Sequence, residues 1–264
     1  MSVEVVFDLP PEWYYRQPMT FGMSQMLDFE KHGPAYFAEQ YVPYRESDEK
    51  DSTALRFGRA AHCLLLEGES VFADQFEVGG PINEKTGKVY GATSDPYKKW
   101  VAKCGGNYVT AQEYDMIRHM GEALRANEVS APYLDSITDV EVTFREEMIG
   151  WGAQCRFDAI GDNNLFELKT CADLDRFKWD FKNYKYDRKA AFYVDMARRA
   201  GYDREYIIIA VEKHTHPRIQ CFRVAPETIT NGIMLNEQLK ARITHCINTD
   251  EWPLQDAVRP IETL

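Results

Sequence analysis

The sequence predicts an α/β (α+β) fold in which helices flank a central mixed β-sheet, and three observations support this prediction. Apolar runs of strand length are grouped in the middle of the chain, at residues 138–146, 151–160 and 165–170. Two further runs of this kind, at residues 206–212 and 219–224, follow a long helical stretch. Segments with helical periodicity precede and separate these strands. Because no linker divides the 264 residues, we expect residues 1–264 to form a single domain.

The first third of the chain is expected to be mainly helical. Residues 1–20 show no regular pattern and predict an irregular N-terminal arm. A helix is expected to begin near Ser24, which is a good N-cap, and to end at Gly33 and Pro34. After a charged loop at residues 45–53, a Leu- and Ala-rich buried helix is expected to stop near Gly68.

The remaining segments alternate between turn formers and helical patterns. Residues 79–95 are rich in turn-forming residues and predict a mobile loop. Helices are then expected at residues 97–104, 111–127, 184–201 and 226–247. The last of these carries an apolar stripe that indicates a core or interface face: Ile229, Ile233, Leu235, Leu239 and Ile243.

Two acids and a lysine lie on a predicted β-hairpin, and we identify them as the candidate catalytic group. Asp158 precedes the turn at residues 161–164, and Glu167 and Lys169 follow it on one face of the next strand. Carboxylate oxygens suit Mg²⁺, and an adjacent lysine can hold an attacking water and offset developing negative charge. This combination is typical of phosphodiester cleavage. The alternative is a solvated hairpin edge, but apolar residues between the charged ones indicate a strand with a buried face.

A histidine on the buried helix is a candidate metal ligand. Gly58 and His62 are four residues apart and share one helical face. Neutral imidazole binds metals, so His62 becomes functional if its helix packs near the hairpin. The alternative interpretation is a core histidine whose ring bonds a neighbouring carbonyl.

A basic strip with interleaved aromatic residues follows the hairpin. Residues 176–199 contain eight basic and three acidic residues, although the whole chain has a net charge of −11. An acidic exterior opposes indiscriminate attraction to nucleic acid, so a DNA-binding protein of this composition must concentrate its positive charge. The alternative is an amphipathic surface helix. We predict DNA contacts for Arg176, Lys178, Lys182, Lys185 and Arg188, with Arg56, Arg59, Lys98, Lys99 and Lys103 as additions.

Taken together, these motifs resemble the PD-(D/E)xK nuclease superfamily. Within it, they are similar to the phage and prophage recombination exonucleases of the exonuclease VIII and lambda-exonuclease type. The matching segments are residues 57–62 (Phe-Gly-Arg-Ala-Ala-His), the hairpin at residues 156–170, and residues 190–195 (Ala-Ala-Phe-Tyr-Val-Asp). The resemblance extends from about residue 20 to about residue 253 and implies a PD-(D/E)xK nuclease core.

The resemblance implies a role for each matching residue. Asp158, Glu167 and His62 would hold two Mg²⁺ ions, for which Mn²⁺ can substitute, with the Leu168 carbonyl as an extra ligand and Lys169 as the catalytic lysine. Lys189 and Tyr193 match the family's Gln-x-x-x-Tyr pattern, except that Lys189 replaces the glutamine. Because lysine accepts no hydrogen bond, we expect Lys189 to contact phosphate instead of ordering water. Glu141 could join the acidic group, but the favoured interpretation is a surface residue, because strand alternation alone would place a surface Glu at that position.

The function implied by the resemblance is digestion of linear double-stranded DNA from its ends, 5′ to 3′. The resulting 3′ overhangs would pass to a single-strand annealing protein during phage-type recombination. A homo-oligomeric ring, trimer or tetramer, would enclose the DNA. Candidates for the 5′-phosphate contact are Arg45, Arg56, Arg59 and Lys189. The alternatives are an endonuclease of restriction or repair type and a non-catalytic DNA-binding relative.

Composition is consistent with an enzyme in the cytoplasm of a bacterial host. The six cysteines are scattered without Cys-x-x-Cys spacing, which argues against zinc or iron–sulfur binding and for free thiols. No apolar run is long enough to span a bilayer, and the N-terminus does not have the pattern of a signal peptide. We therefore expect no membrane partner.

Overall fold

The protein has a mixed sheet flanked by helices, as the sequence predicted. The structure is a computed structural model that describes residues 2–7, 9–15, 17–42 and 52–254. Its strands are β1 (Val3–Val6), β2 (Thr20–Phe21), β3 (Glu77–Val78), β4 (Ile82–Asn83), β5 (Lys88–Val89), β6 (Tyr108–Val109), β7 (Ile137–Met148), β8 (Trp151–Gly161), β9 (Asn164–Cys171), β10 (Glu205–Glu212) and β11 (Ile219–Arg223).

The helices lie before the central strands, between β9 and β10, and at the end of the described chain. They are α1 (Pro11–Tyr15), α2 (Met23–His32), α3 (Pro34–Tyr41), α4 (Thr53–His62), α5 (Glu69–Gln75), α6 (Asp95–Lys103), α7 (Ala111–Ala126), α8 (Ser130–Asp135), α9 (Phe177–Asn183), α10 (Tyr186–Arg199) and α11 (Pro226–Thr249). A π-helical turn, Cys63–Glu67, continues α4 directly. No helix in these described ranges is long and apolar enough to cross a membrane.

The main sheet has the strand order β1-β7-β8-β9-β10-β11, and β2 pairs with β8 beside this path. Strands β9 and β10 are parallel and are connected through α9 and α10, whereas β7, β8 and β9 form an antiparallel meander. Strands β8 and β9 pair only next to their turn, at Ala159 with Phe166 and Ile160 with Leu165. Away from the turn these two described strands are not paired with each other, and Asp158, Glu167 and Lys169 lie there.

Each face of the sheet has its own apolar core. Along β10, Tyr206 and Ile208 face a core built with α2, α3, α10 and α11, while Ile207 and Ile209 face a core built with α4, α5 and α7. Continuous apolar composition is expected of a strand that is covered on both faces. Helix α10 therefore approaches the sheet from one side and α4 from the other.

The alternation of side chains changes at one point on two neighbouring strands. On β7, Val142 belongs to the first core but Val140 packs against the second. On β8, Phe157 belongs to the first core and Ala159 to the second. Between these paired residues lie Glu141, whose φ of 52° is in the left-handed region, and Asp158. Such backbone departures from regular geometry are frequent at functional sites.

Close packing between two helices fixes the position of α10. A Cβ at Gly232 of α11 would come within 2.4 Å of the Ala191 Cβ on α10. The absence of a side chain at Gly232 therefore lets the two helices approach closely. This contact fixes the position of α10, the helix that carries Lys189 and Tyr193, relative to α11.

Several local predictions differ from the structure. The N-terminal arm contains β1, which pairs with β7, and the short helix α1, so it is less irregular than expected. Helix α2 begins after Gly22, whose N–H donates to the Gln25 side chain at 2.7 Å, and Ser24 therefore lies inside the first turn instead of capping it. Residues 79–95 contain the β4–β5 pair. Most of the charged loop at 45–53 lies outside the described residues.

The basic stretch forms two helices where one was expected. Lys185 adopts a left-handed conformation with φ 57°, which separates α9 from α10. The other predicted strands and helices of the second half are confirmed, including α11. On α11, however, Leu235 is exposed and does not belong to the buried stripe of Ile229, Leu239 and Ile243.

Candidate metal centre

Three side chains from different elements bring metal-binding atoms together. His62 ends α4, Glu141 lies on β7 and Asp158 on β8, and one ligand atom from each lies within 4.8 Å of the others. The His62 Nδ1 is 3.5 Å from the Asp158 Oδ1. One imidazole and two carboxylates form a donor set that fits a divalent cation such as Mg²⁺ or Mn²⁺. In the part of the chain that the structure describes, this is the group with suitable spacing for a metal ion.

The Asp158 carboxylate is oriented by the neighbouring strand. Its Oδ2 accepts a hydrogen bond from the Leu168 N–H at 2.7 Å, which leaves Oδ1 directed towards His62. Hydrogen bonds of this kind fix the geometry of a metal ligand. The Leu168 backbone is therefore next to the centre, although the contact is made by its N–H group. Ligation by the Leu168 carbonyl stays a prediction.

Arg156 connects the acidic group to the N-terminal segment. Its Nη1 lies 3.7 Å from the Glu141 Oε2, and its Nη2 donates to the Leu9 carbonyl at 2.6 Å. The guanidinium also lies over the Tyr14 ring, 4.5 Å from the ring centroid. The segment around α1 thus holds Arg156 in place beside Glu141.

Burial and the charge of Asp158 shift the pKa values of Glu141 and His62. Burial, together with the charge of Asp158, raises the pKa of Glu141 to about 7. Burial alone would lower the pKa of His62, but the Asp158 carboxylate outweighs this effect and the His62 pKa is raised. Both shifts have the direction expected where carboxylates are crowded in a low-dielectric site. A bound cation would relieve this crowding, which is the physical reason that the group suits a metal.

Glu167 lies near this group but is held by other residues. Its Oε1 accepts hydrogen bonds from the ammonium groups of Lys169 and Lys189, the latter at 2.7 Å, and its Oε2 accepts one from the Tyr206 hydroxyl at 3.0 Å. Burial would raise the pKa of Glu167, but the two ammonium groups hold it well below its usual value. Glu167 is not a member of the group of atoms that could share one metal ion.

The two lysines on Glu167 are each placed against an aromatic ring. Lys169 Nζ lies 5.1 Å from the centroid of Tyr186, and Lys189 Nζ lies 5.0 Å from that of Tyr193. Tyr193 is buried and packs edge-on against Phe157. Burial opposes the charged form of Lys189, yet the Glu167 carboxylate raises the Lys189 pKa well above its usual value. The structure therefore brings together all five predicted catalytic side chains, with Lys189 bonded to Glu167.

Glu141 corrects the expectation of a surface residue. Simple alternation fails because its left-handed backbone interrupts the regular strand geometry opposite Asp158. Sequence reasoning named Glu141 as a possible member of the acidic group but favoured a surface position, although one signal pointed the other way. Glu141 stands between two valines in a run of strand formers, and an acid in such a position needs a partner when the strand is buried.

The basic strip is only partly available for DNA. Arg176, Lys178, Lys182 and Lys185 are exposed, and Lys182 forms an ion pair with Asp187 at 2.9 Å. Arg188 corrects the prediction of a DNA contact, since its side chain is buried. Its Nε donates to the Asn236 Oδ1 at 2.6 Å, and its Nη1 lies 3.1 Å from Glu30.

The candidates for the 5′-phosphate contact have different positions. Arg56 is buried, pairs with Glu113 at 2.7 Å and lies over the Tyr108 ring, so it is not available to a phosphate. Arg59 is exposed. Lys98, Lys99 and Lys103, which were predicted as additional DNA contacts, are exposed as well. Arg45 lies outside the described residues.

Comparisons with known proteins agree with this architecture. A family model described as "PDDEXK-like domain of unknown function (DUF3799)" matches residues 22–258. A solved structure described as a "Putative exonuclease" from Eubacterium rectale superposes with a TM-score of 0.65 at 16% sequence identity, covering 98% of this chain and 96% of that one. At this identity, the similarity shows a shared fold. No curated protein matches the sequence.

Proposed function

The chain belongs to the PDDEXK-like family DUF3799, within the PD-(D/E)xK nuclease superfamily, and from this premise we propose that it is a metal-dependent exodeoxyribonuclease. Its proposed substrate is linear double-stranded DNA. The observation that carries the proposal is the position of the His62, Glu141 and Asp158 group next to Lys169 and Glu167, to which the hydrogen bond from the Leu168 N–H to Asp158 connects it. A metal-binding group and a lysine are the two parts that phosphodiester hydrolysis needs in one place.

The donor atoms of His62, Glu141 and Asp158 would hold a divalent cation, which is proposed to be Mg²⁺ and replaceable by Mn²⁺. Such a cation supplies a Lewis acid that polarises the phosphate and activates water at neutral pH. The Leu168 N–H keeps the Asp158 carboxylate oriented towards that position. Arg156 forms an ion pair with the Glu141 carboxylate at 3.7 Å.

Lys169 is proposed to position the attacking water and to offset the negative charge that develops on the phosphate. Glu167 orients Lys169 by accepting its hydrogen bond, and the Tyr206 hydroxyl fixes Glu167 in turn. In the reaction, the water oxygen forms a bond to phosphorus while one phosphodiester P–O bond breaks. The attacking water loses a proton and the leaving oxygen gains one, so the step is balanced.

The finer activity is proposed from the resemblance to recombination exonucleases. Digestion would run 5′ to 3′ and leave 3′ overhangs for a single-strand annealing protein. A trimeric or tetrameric ring would keep the enzyme on its DNA. The exposed residues Arg176, Lys178, Lys182 and Lys185 are the proposed contacts to the phosphate backbone.

The proposal is tested with linear duplexes labelled at the 5′ or the 3′ end, with and without a 5′ phosphate, in Mg²⁺. We expect early release of the 5′ label and a remaining 3′ single strand. Supercoiled circular DNA should stay intact. Nicking or linearisation of the circle would replace the proposal by an endonuclease, and binding without any cleavage would indicate a non-catalytic relative.

A further inference from the structure

Lys189 places a second positive charge on a carboxylate that Lys169 already neutralises. Both ammonium groups donate to the same Glu167 oxygen, and Tyr206 donates to the other. The Lys189 side chain is 28% exposed and lies against Tyr193, so it is held at this position and not freely solvated. Glu167 thus accepts three hydrogen bonds from neighbouring side chains.

The charges of the site divide into two halves of opposite sign. In the protonation forms that bind a metal, with both carboxylates ionised and His62 neutral, Glu141, Asp158 and Arg156 together carry a charge of about −1, because two carboxylates face one guanidinium. Glu167, Lys169 and Lys189 together carry about +1, because one carboxylate faces two ammonium groups. Only the first half attracts a divalent cation.

A second cation shared between Asp158 and Glu167 would have to lie beside both ammonium groups. The cation and the two ammonium groups would repel one another strongly, because all three are positively charged and the site is partly buried. Oε1 of Glu167 already accepts from both lysines and Oε2 accepts from Tyr206, so the cation would have to displace a lysine from Oε1 or share Oε2 with the Tyr206 hydroxyl.

We propose that this centre holds one divalent cation, at His62, Glu141 and Asp158, and that Lys189 supplies the positive charge of a second one. The inference rests on the metal centre of the proposed function and reduces the number of metal ions from the two that the family resemblance implies to one. Lys189 is then a positioning residue that holds Glu167, and its ammonium group offsets charge on a phosphate bound between the two halves.

The experiment counts bound Mn²⁺ on the purified full-length protein without DNA, from the loss of the free-ion signal in electron paramagnetic resonance. We expect one Mn²⁺ per chain for the wild type. In Lys189→Gln, which removes the charge and one Glu167 partner, the count should rise from one to two. Lys189→Arg keeps the charge and should bind one, as should Lys88→Gln, an exposed lysine on β5 that controls for the loss of a charge.

Two Mn²⁺ bound to the wild type would overturn the proposal, and a count of one in a folded Lys189→Gln would overturn the role of Lys189. Folding is checked by circular dichroism. If Lys189→Gln does not fold, the wild-type count still decides the metal content. Failure of the proposed function is distinguishable: a chain that binds one Mn²⁺ and cuts no DNA contradicts the function alone, whereas cleavage with two bound ions contradicts this inference alone.

Discussion

The Nδ1 atom of His62 lies 3.5 Å from the Oδ1 of Asp158, and this contact joins two layers of the protein. His62 ends a helix that packs on one face of the sheet, while Asp158 lies where β8 changes the direction of its side chains. On the neighbouring strand β7, Glu141 lies where the side chains change direction in the same way. The candidate site therefore forms at an irregular point of the sheet, within reach of helix α10 from the opposite face.

Glu141→Gln should weaken Mn²⁺ binding by about 100-fold and reduce cleavage to a similar extent, because it removes one of the two carboxylates among the three proposed ligands. Isothermal titration with Mn²⁺ measures the first effect, and digestion of linear DNA measures the second. Glu147→Gln is the matched control, since Glu147 is an exposed acid on the same strand. Wild-type affinity in Glu141→Gln would remove Glu141 from the centre.

Arg176→Gln and Lys178→Gln should each reduce the salt dependence of DNA binding by about one unit of slope in a plot of log K against log salt. Both side chains are exposed on or next to α9 and can contact phosphate without any rearrangement. Fluorescence anisotropy at several salt concentrations provides the measurement. An unchanged slope in both variants would exclude this surface from the DNA path.

Arg188→Met should lower the stability of the protein and leave the salt dependence of DNA binding unchanged. The change leaves the buried Asn236 Oδ1 without its donor and should lower the free energy of unfolding by about 1–3 kcal/mol. Urea denaturation measures this loss. If the variant keeps full stability but shows a reduced salt slope, Arg188 belongs to the DNA surface after all.

Gly232→Ala should lower the free energy of unfolding by about 1–3 kcal/mol, because the new methyl group overlaps Ala191 and forces α10 and α11 apart. Gly58→Ala is the matched control. A Cβ at Gly58 meets nothing within 4 Å, and alanine in a helix is favoured over glycine by about 0.5–1 kcal/mol. Equal stability of the two variants in urea would contradict the close helix contact.

Glu212→Gln should destabilise the protein at neutral pH, and this effect should disappear in acid. Hydrogen bonds from Arg218 hold the pKa of Glu212 at about 2, below its ordinary value of 4.5. A carboxyl group with a lowered folded pKa stabilises the protein above pH 4.5, and this contribution is lost as the pH falls towards 2. Unfolding measured at pH 7 and pH 3 should therefore show a smaller difference between variant and wild type at pH 3.

The control for this prediction is Glu205→Gln. Glu205 pairs with Arg223 at 3.0 Å, but both side chains are more than half exposed, so the change should have an effect within about 0.5 kcal/mol at either pH. A pH-independent loss in Glu212→Gln would show that the Arg218 contact does not depend on the carboxylate charge.

Much of the fold follows from the sequence because its signals are local. Turn formers at residues 161–164 between two apolar runs predicted the β8–β9 hairpin, and the apolar run at residues 206–212 predicted β10. Alternation on β9 also placed Glu167 and Lys169 on one face, where the structure has them in contact. These features depend on neighbours within a few residues, and the amino-acid order alone determines them.

The composition of the metal centre was decided by tertiary structure. Glu141 joins His62 and Asp158 through a left-handed backbone position that periodicity does not reveal, and Glu167 is bound by Lys189 from a helix on the opposite core. Arg188, the residue before Lys189 on α10, points into the interior because the close contact at Gly232 brings α11 and Asn236 against it. Arg188 therefore lies in the interior while its neighbour Lys189 lies at the candidate site. The elements that pack against each residue determine this difference, and the residue type does not.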